Sequence, residues 1–504
     1  MSDFALKLFN TLNGAVEDFR PIDPSGKQVK FYVCGPTVYD DAHLGHARCY
    51  VTWDVLYRFL KFLGYDVKYV RNVTDVDDKI LNRAAERGET PQALAECNYQ
   101  SFSQDMQALN VLPPDEEPRA THYIAHMLEG IETLIQKGAA YVNSDGSVYF
   151  RVSSKSDYGK LSKKPLDDLK SGARVEVDHE KESPLDFALW KAAPSSDSHG
   201  WESPWKVKGQ SKGWGRPGWH MECSAMNHAV FGDQIDIHAG GADLIFPHHE
   251  NEIAQSEAWT GQTPFSKYWL HNGFVNVSGH KMSKSLGNFA TIKTLLERYD
   301  ANTIRYFLLT NHYRMPVDFN DEALQAAENW MVKAKRALNE AKKNLGLDLP
   351  AIQMEVCSSF QNLQKRPDSA GSPHFLSLCQ EMADDLNTPK ALASCNTALG
   401  HLRSASPGTI EESSLIDAFT HIVSMLTLLG FDLALFFNDA QAKAALPLDE
   451  IVQLIQKRRE AKASKNWPQA DAIRQQLADL GLQLLDNKDG TTSVEKEGME
   501  VVRT

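Results

Sequence analysis

The feature that most restricts the fold is the order of periodicities between Lys30 and Val73. Lys30-Phe31-Tyr32-Val33 is a short apolar run that stops at Cys34-Gly35-Pro36, a strong turn signal. Beyond the turn, Tyr50, Trp53, Leu56, Tyr57, Leu60 and Leu63 recur at three- and four-residue spacing up to Gly64, which predicts an amphipathic helix. Val67 to Val73 is strand-like again. Strand, helix and strand in this order form a βαβ unit, and such units build parallel sheets covered by helices. The chain is therefore read as an α/β protein.

At 504 residues, the chain has material for roughly three domains of about 150 residues. Its 42% hydrophobic and 24% charged residues exclude a disordered or fibrous protein. Asp3 interrupts the amino terminus, and nowhere do about 18 apolar residues run together, so neither a leader nor a membrane span is expected and a cytoplasmic protein is the default. Seven scattered cysteines argue for reduced thiols rather than a disulfide framework. The net charge of −13 argues against a uniformly basic nucleic-acid coat but leaves room for a local basic face.

Between about 145 and 220 the pattern loosens, and Ala193-Pro194-Ser195-Ser196-Asp197-Ser198-His199-Gly200 cannot support a packed core. An inserted subdomain with a flexible loop is expected there. Strand-like segments resume at Asp236-Ile237-His238 and at Trp269 to Phe274. From Asp321 onward, Ala323, Leu324, Ala327 and Trp330 oppose Lys333, Lys335 and Arg336, which predicts a helical bundle with a mobile stretch around 350 to 374.

Two motifs bear on phosphate chemistry. His43-Leu44-Gly45-His46 falls where a strand end passes into a helix amino terminus, a position that favours anions through free N–H groups and the helix dipole. Taken alone, H-x-G-H also fits a packed turn. Lys281-Met282-Ser283-Lys284-Ser285 follows about 235 residues later in a glycine-flanked loop, where two ammonium groups suit charge developing on a phosphorus. Together, in this order, they resemble the two signatures of class I aminoacyl-tRNA synthetases, which form an aminoacyl adenylate on a Rossmann-type domain.

Metal ligands are less visible, since no CxxC pair exists. His248 and Glu252 share a helical face at i and i+4 after Pro247, which can start a helix, while Cys34 and Cys223 stand apart in sequence. By spacing alone these are equally well read as core and surface residues. If they converge, two thiolates, an imidazole and a carboxylate suit zinc better than magnesium or calcium.

A narrower resemblance rests on longer motifs. Phe31 to Asp40, Tyr69 to Lys79, Gly218 to Met226, Phe246 to Glu252, Asp385 to Ala391 and Asn466 to Arg474 are similar to segments of the cysteinyl-tRNA synthetases, and the match covers essentially the whole chain. The resemblance implies a Rossmann-type catalytic domain (1–145 and 218–275) split by a connective insertion (146–217). It further implies a KMSKS loop and stem-contact region (276–320), a helical bundle (321–445) and a small anticodon-binding domain (446–504). It also implies one zinc ion held by Cys34, Cys223, His248 and Glu252 that binds the thiolate of L-cysteine. Gly35, Thr74, Trp219, His238 and Asp243 would surround the amino acid. His43, Gly45, His46, Lys281 and Lys284 would serve ATP, which enters with Mg²⁺. Zinc then selects cysteine over serine more strongly than a pocket could, so no editing domain is needed.

The partner implied is the tRNA specific for cysteine, met by a chain expected to be a monomer. On the RNA side, Lys457, Arg458, Arg459, Lys462, Lys465 and Arg474 outnumber Glu460 and Asp471 on an expected helix from 451 to 474, with Trp467 beside them. That suits phosphate contact and base stacking. Gly490-Thr491-Thr492 is followed by Ser493 where the family usually has a Trp, which puts one stacking contact in doubt. Two other readings fit parts of the sequence. One is a relative that joins cysteine to an amino-sugar thiol precursor, disfavoured by the roughly 180 residues past the KMSKS region. The other is a catalytically silent RNA-binding or zinc-structural module, disfavoured by the intact motifs.

Overall fold

The structure is a computed structural model that describes residues 5–164, 181–194, 199–206, 212–277, 280–281, 290–346, 373–404, 412–437, 448–464, 466–479, 482–486, 492–496 and 499–503. Its central sheet has four strands: β1 (Gln28–Val33), β2 (Asp66–Arg71), β3 (Ile235–Gly241) and β4 (Ser266–Asn272). All neighbours are parallel and the order is β4-β3-β1-β2. Tyr32 of β1 stands opposite Val70 on one side and His238 on the other. The carboxyl-terminal halves of β1 and β3 are covered on both faces, which is why they read as apolar runs rather than as alternation. Because the chain leaves β1 toward β2 on one side and returns with β3 on the other, β1 and β3 bound the switch-point crevice where open α/β sheets bind ligands.

Helix α1 (Leu44–Phe62) is buried around nearly its whole circumference, more than the amphipathic pattern implied. One face lies on the sheet, and the other packs against the helices Ala301–Leu309 and Glu412–Leu428. Polar residues on that second face are therefore buried. The Arg48 guanidinium caps the carbonyls of Asn311 (3.1 Å) and His312 (2.8 Å), and Asp54 pairs with Arg305.

The described part of the inserted region carries a sheet, while positions 195–198 of the flexible loop expected around 193–200 lie outside the described residues. Ala140–Val142, Val148–Phe150, Phe187–Ala192, Gly213–Pro217 and Trp201–Ser203 form, in that spatial order, a five-stranded antiparallel sheet that takes in residues ahead of position 146. Phe150, Phe187, Leu189, Trp190 and Trp205 make its core with Met221 and Ala225 of α2 (Trp219–Phe231). Lys191 and Arg216 tie it to Asp78 at 2.5 and 3.3 Å. Three of the five strands have only three residues and cannot display a period of two, so the sheet left little trace in the sequence.

An amino-terminal hairpin, Lys7–Asn10 with Ala15–Asp18, docks beside β4 through Asn10 and Thr11. The bundle comprises Asp321–Leu345, Pro373–Ala383, Thr388–Ser404 and Glu412–Leu428, with a core continuous with that of α1. The stretch expected to be mobile around 350 to 374 lies almost wholly outside the described residues. The single helix expected over 451 to 474 is two, Leu448–Ala463 and Trp467–Asp479. Pro468 disfavours helical backbone at the residue before it and is tolerated only in a first turn, so the second helix starts there. A three-stranded antiparallel sheet follows, and Ile455, Ile473, Leu477, Leu482 and Val494 form a separate small core. Among the described residues no helix is long and apolar enough to cross a membrane.

Candidate active site

The carboxyl end of β1 delivers Cys34 to the crevice. Cys223 comes from the second turn of α2, and the remaining donors come from the start of α3 (Glu250–Thr260) and the turn before it. In that turn, Phe246 is extended (φ −139°, ψ 133°), as a residue before proline prefers, and the helical backbone runs on from Pro247, so that His248 and His249 stand at i, i+4 and i, i+3 from Glu252. The four nominated side chains meet. Cys34 Sγ lies 3.9 Å from Cys223 Sγ and 3.8 Å from Glu252 Oε1, and His248 Nε2 lies 3.0 Å from the same carboxylate oxygen. All four are buried.

His249, which the sequence reading passed over, belongs to the same cluster. Its Nε2 is 3.2 Å from Cys34 Sγ, and the donor atoms of Cys34, His248, His249 and Glu252 all lie within 4.8 Å of one another. Its Nδ1 meets His271 Nε2 at 2.8 Å, and His271 Nδ1 in turn meets Thr11 Oγ1 at 2.8 Å. The sequence signal for His249 is its i, i+3 spacing to Glu252, beside the i, i+4 spacing of His248.

Charges inside the cluster are already arranged around a positive centre. Burial and the neighbouring thiol push Cys34 well above the ordinary thiol range. A hydrogen bond from Cys34, backed by His248, pulls Cys223 below that range. Burial opposes charge on His248, yet Glu252 and Cys223 together raise it to about 10. Burial likewise opposes charge on Glu252, which His238 and His248 hold down at about 2. The proton on His248 thus balances Glu252 and Cys223, the same balance that a divalent cation on these atoms would supply. The buried donor set of thiols, imidazole and carboxylate fits zinc.

Around this centre, His238 Nε2 meets Glu252 Oε2 at 2.9 Å, and Trp219 stacks on His248 with ring centroids 4.0 Å apart. The Gly35 amide donates to Asn72 Oδ1 at 2.8 Å. Thr74 is buried beside it, its N–H donating to the Pro36 carbonyl at 3.1 Å. Asp243 lies on the short turn Ala242–Leu244 beyond β3, its carboxylate against Gly241.

His43 and His46 open α1 as a reciprocal cap. His43 Nδ1 accepts from Gly45 N–H and His46 Nδ1 accepts from His43 N–H, each at 3.1 Å, with the rings stacked at 3.9 Å. The two backbone N–H groups are therefore spent on imidazoles. Because Nδ1 accepts, each neutral ring carries its proton on Nε2, the atom that can donate to a phosphate. The far end of the lysine- and serine-rich loop is stitched to this turn: Leu44 N–H donates to Ala290 O at 3.1 Å and Ile292 N–H donates to Ala42 O at 3.0 Å. At the near end, His280–Lys281 pairs with Val275–Val277. Lys281 is described in its backbone only, and Lys284 lies outside the described residues.

The basic residues of the tail divide. Lys457, Arg459 and Arg474 are exposed, Lys462 is half-buried, and Trp467 is 57% exposed, but Arg458 is only 7% exposed and turns inward. Ser493 is buried in the small sheet opposite Leu485.

Residues 21–329 match the model of the tRNA synthetases class I (C) catalytic domain. The chain is 44% identical to the cysteine–tRNA ligase of Geobacter sulfurreducens, with 97% of this chain and 99% of the relative covered. It is also 44% identical to that of Neisseria meningitidis, with 96% and 98% covered. Its fold is similar to a Mycobacterium tuberculosis methionyl-tRNA synthetase solved with methionyl-adenylate (TM-score 0.51, 19% identity, 80% of this chain and 89% of that one). It is likewise similar to an Agrobacterium radiobacter leucyl-tRNA synthetase (TM-score 0.57, 12% identity, 84% and 87%). With the family model spanning the catalytic sheet and the relatives matching nearly end to end, this chain belongs to the cysteine–tRNA ligases of class I.

Proposed function

We propose that the chain activates L-cysteine with ATP and transfers it to the tRNA specific for cysteine through a cysteinyl adenylate. The observation that carries this reading is the meeting of Cys34, Cys223, His248 and Glu252 at the end of β1, one turn from the histidines that open α1. These four residues would hold zinc. When bound, the ion supplies a Lewis acid that takes a thiolate in preference to a neutral hydroxyl, and so separates cysteine from serine by more than the roughly 1–3 kcal/mol of a methylene-sized pocket.

The remaining residues orient and balance charge. One carboxylate oxygen of cysteine attacks the α-phosphorus of ATP, and the bond to pyrophosphate breaks with its electron pair leaving on pyrophosphate. No proton needs to move in this step, so the protein contributes alignment and electrostatics. His43 and His46 hold the phosphates through Nε2, with Gly45 keeping the turn narrow; Lys281 and Lys284 face the charge that develops, and Mg²⁺ accompanies ATP. Trp219 and His238 keep His248 and Glu252 in place, while Gly35, Thr74 and Asp243 surround the amino acid. In the second step the 2′ hydroxyl of the terminal adenosine attacks the acyl carbon and AMP departs. Lys457, Arg459, Lys462, Arg474 and Trp467 meet the RNA; Arg458, turned inward, supports the helix that carries them.

The test is cysteine-dependent exchange of pyrophosphate into ATP, followed by charging of tRNA, with bound zinc measured alongside. Cys34→Ser is expected to lose both zinc and exchange. Exchange without charging of tRNA favours a ligase acting on another acceptor, and absence of exchange in the unaltered protein overturns the reading.

A further inference from the structure

Thr11 lies in the turn of the amino-terminal hairpin, 260 residues ahead of His271, and is used by none of the steps above. Its hydroxyl nevertheless begins an unbroken line of short contacts that ends on a nominated zinc ligand. Thr11 Oγ1 meets His271 Nδ1 at 2.8 Å, His271 Nε2 meets His249 Nδ1 at 2.8 Å, and His249 Nε2 meets Cys34 Sγ at 3.2 Å. All four ring nitrogens are taken up in this line, and His249 and His271 are 0% and 6% exposed.

The hairpin is seated on β4 by other bonds. The Asn10 side chain donates to Lys267 O at 3.0 Å and accepts from Trp269 N–H at 3.1 Å, while Thr11 N–H donates to Trp269 O at 2.9 Å. None of these uses the Thr11 hydroxyl. Along β4, Trp269 and His271 are two residues apart and so share a face, where both rings adjoin His249 with centroids 5.1 and 5.0 Å away. The docked hairpin thus delivers a hydroxyl to His271 without depending on it.

Hydrogen-bond accounting shows why a hydroxyl stands at the outer end. A neutral imidazole has one N–H and one lone pair, a hydroxyl can both donate and accept, and burial disfavours a second proton on either ring. The line is then complete in two senses. With a thiol on Cys34 every donor points toward Thr11; with a thiolate every donor points toward Cys34. Threonine closes the line in both, so its part does not depend on the protonation of Cys34. A methyl group in its place would leave His271 Nδ1 buried without a partner and the two rings without a fixed end.

We propose that Thr11 and His271 are positioning residues of the cysteine site: they fix the His249 ring, which holds the Cys34 sulfur where the nominated zinc ligands converge. The amino-terminal hairpin is thereby part of that site. The inference rests on the reading of Cys34, Cys223, His248 and Glu252 as zinc ligands.

Thr11→Val keeps the shape of threonine and removes the hydroxyl. Zinc affinity, measured by competition with a chromogenic chelator, is expected to fall about tenfold or more, the scale of a partner lost from behind a metal ligand. Thr11→Ser is expected to keep it within about twofold. In the cobalt-loaded protein, the sulfur-to-cobalt charge-transfer band is expected to shift in the Val variant and to stay in place in the Ser variant. Amide exchange at Thr11 checks that the hairpin remains docked. Should Thr11→Val lose that protection or fail to fold, His271→Phe, which keeps a ring and removes both nitrogens, decides by the same zinc competition. Unchanged zinc affinity in the variant that decides, or a Ser variant as weak as Val, overturns the proposal. An unaltered protein that binds no zinc overturns instead the reading of the four ligands.

Discussion

Asp54 and Arg305 show how a residue can matter without any sequence signature. Both side chains are fully buried where α1 meets the helix Ala301–Leu309. Arg305 also donates to the carbonyls of Leu109 and Leu429 at 2.9 and 2.8 Å. Gly430, at φ +77°, must lack a side chain, because a Cβ there would lie 1.9 Å from Arg305 Nη2. Removing one member of a buried pair strands the other, at a cost of about 3–5 kcal/mol, whereas replacing both by apolar groups costs less. Asp54→Asn is therefore expected to lower the unfolding free energy by that amount in urea titration, and the double variant Asp54→Leu/Arg305→Met to recover part of it. A double variant as unstable as the sum of the singles would refute this account. The buried cluster of thiols, imidazoles and carboxylate presents the opposite case. His248 and Glu252 were legible from their i, i+4 spacing, and His249, at i, i+3 from Glu252, lies beside that face, but spacing alone does not say which of the two imidazoles turns inward. Phe246 is extended because a proline follows it, and the helical backbone that runs on from Pro247 sets both imidazoles within reach of Glu252.

At the scale of elements, the βαβ unit and the helical half were readable because their apolar periods are long. The amino-terminal hairpin and the inserted sheet were not, because the hairpin's four-residue strands and three of the sheet's five strands, at three residues each, are too short to show a period of two. Asp385 is what joins several of these pieces. Its carboxylate accepts from Phe9 N–H at 2.8 Å, Tyr313 hydroxyl at 2.7 Å and Arg314 Nε at 2.8 Å, linking the hairpin, the loop ahead of Val317–Phe319 and the start of Thr388–Ser404. Val317–Phe319 pairs in turn with Val275–Val277, the strand that leads toward the lysine- and serine-rich loop. Asp385 holds φ +57° and Leu386 φ +50°, left-handed backbone that Asp and Asn tolerate better than Ala does. Asp385→Ala is thus expected to cost about 3 kcal/mol or more, by stranding three donors and straining the turn. Asp385→Asn keeps an acceptor and the backbone. Amide exchange at Phe9 reads the difference: protection is expected to persist in the Asn variant and to vanish in the Ala variant, and persistence in both would remove Asp385 from this role.

For the whole molecule, the charge of −13 and a polyanionic partner can be reconciled only if contact is local. The tail domain has its own core, so its surface charges can be changed without disturbing the catalytic sheet. Lys457 and Arg459 are exposed on Leu448–Ala463, Arg474 is exposed on Trp467–Asp479, and Arg458, although in the middle of the basic run, is buried. Composition could locate the basic run; only the helix break and the small core decide which of its members face solvent. The consequence is a prediction in salt dependence rather than in affinity alone. Each phosphate contact made by a cation releases counterions, so the double variant Lys457→Ala/Arg459→Ala is expected to reduce the slope of log affinity for tRNA against log salt by about 1.4 to 1.8, from roughly 0.7 to 0.9 per contact. Trp467→Ala is expected to weaken binding by about 1–3 kcal/mol with the slope unchanged, because stacking displaces no ions. Arg458→Ala is expected to lower the stability of the tail domain and to leave the slope of the folded fraction as it was. Pyrophosphate exchange, which needs no tRNA, should keep its rate in all three. If instead the two lysine and arginine changes lower affinity equally at every salt concentration, these cations do not touch phosphate, and the acidic protein must meet its tRNA through some other face.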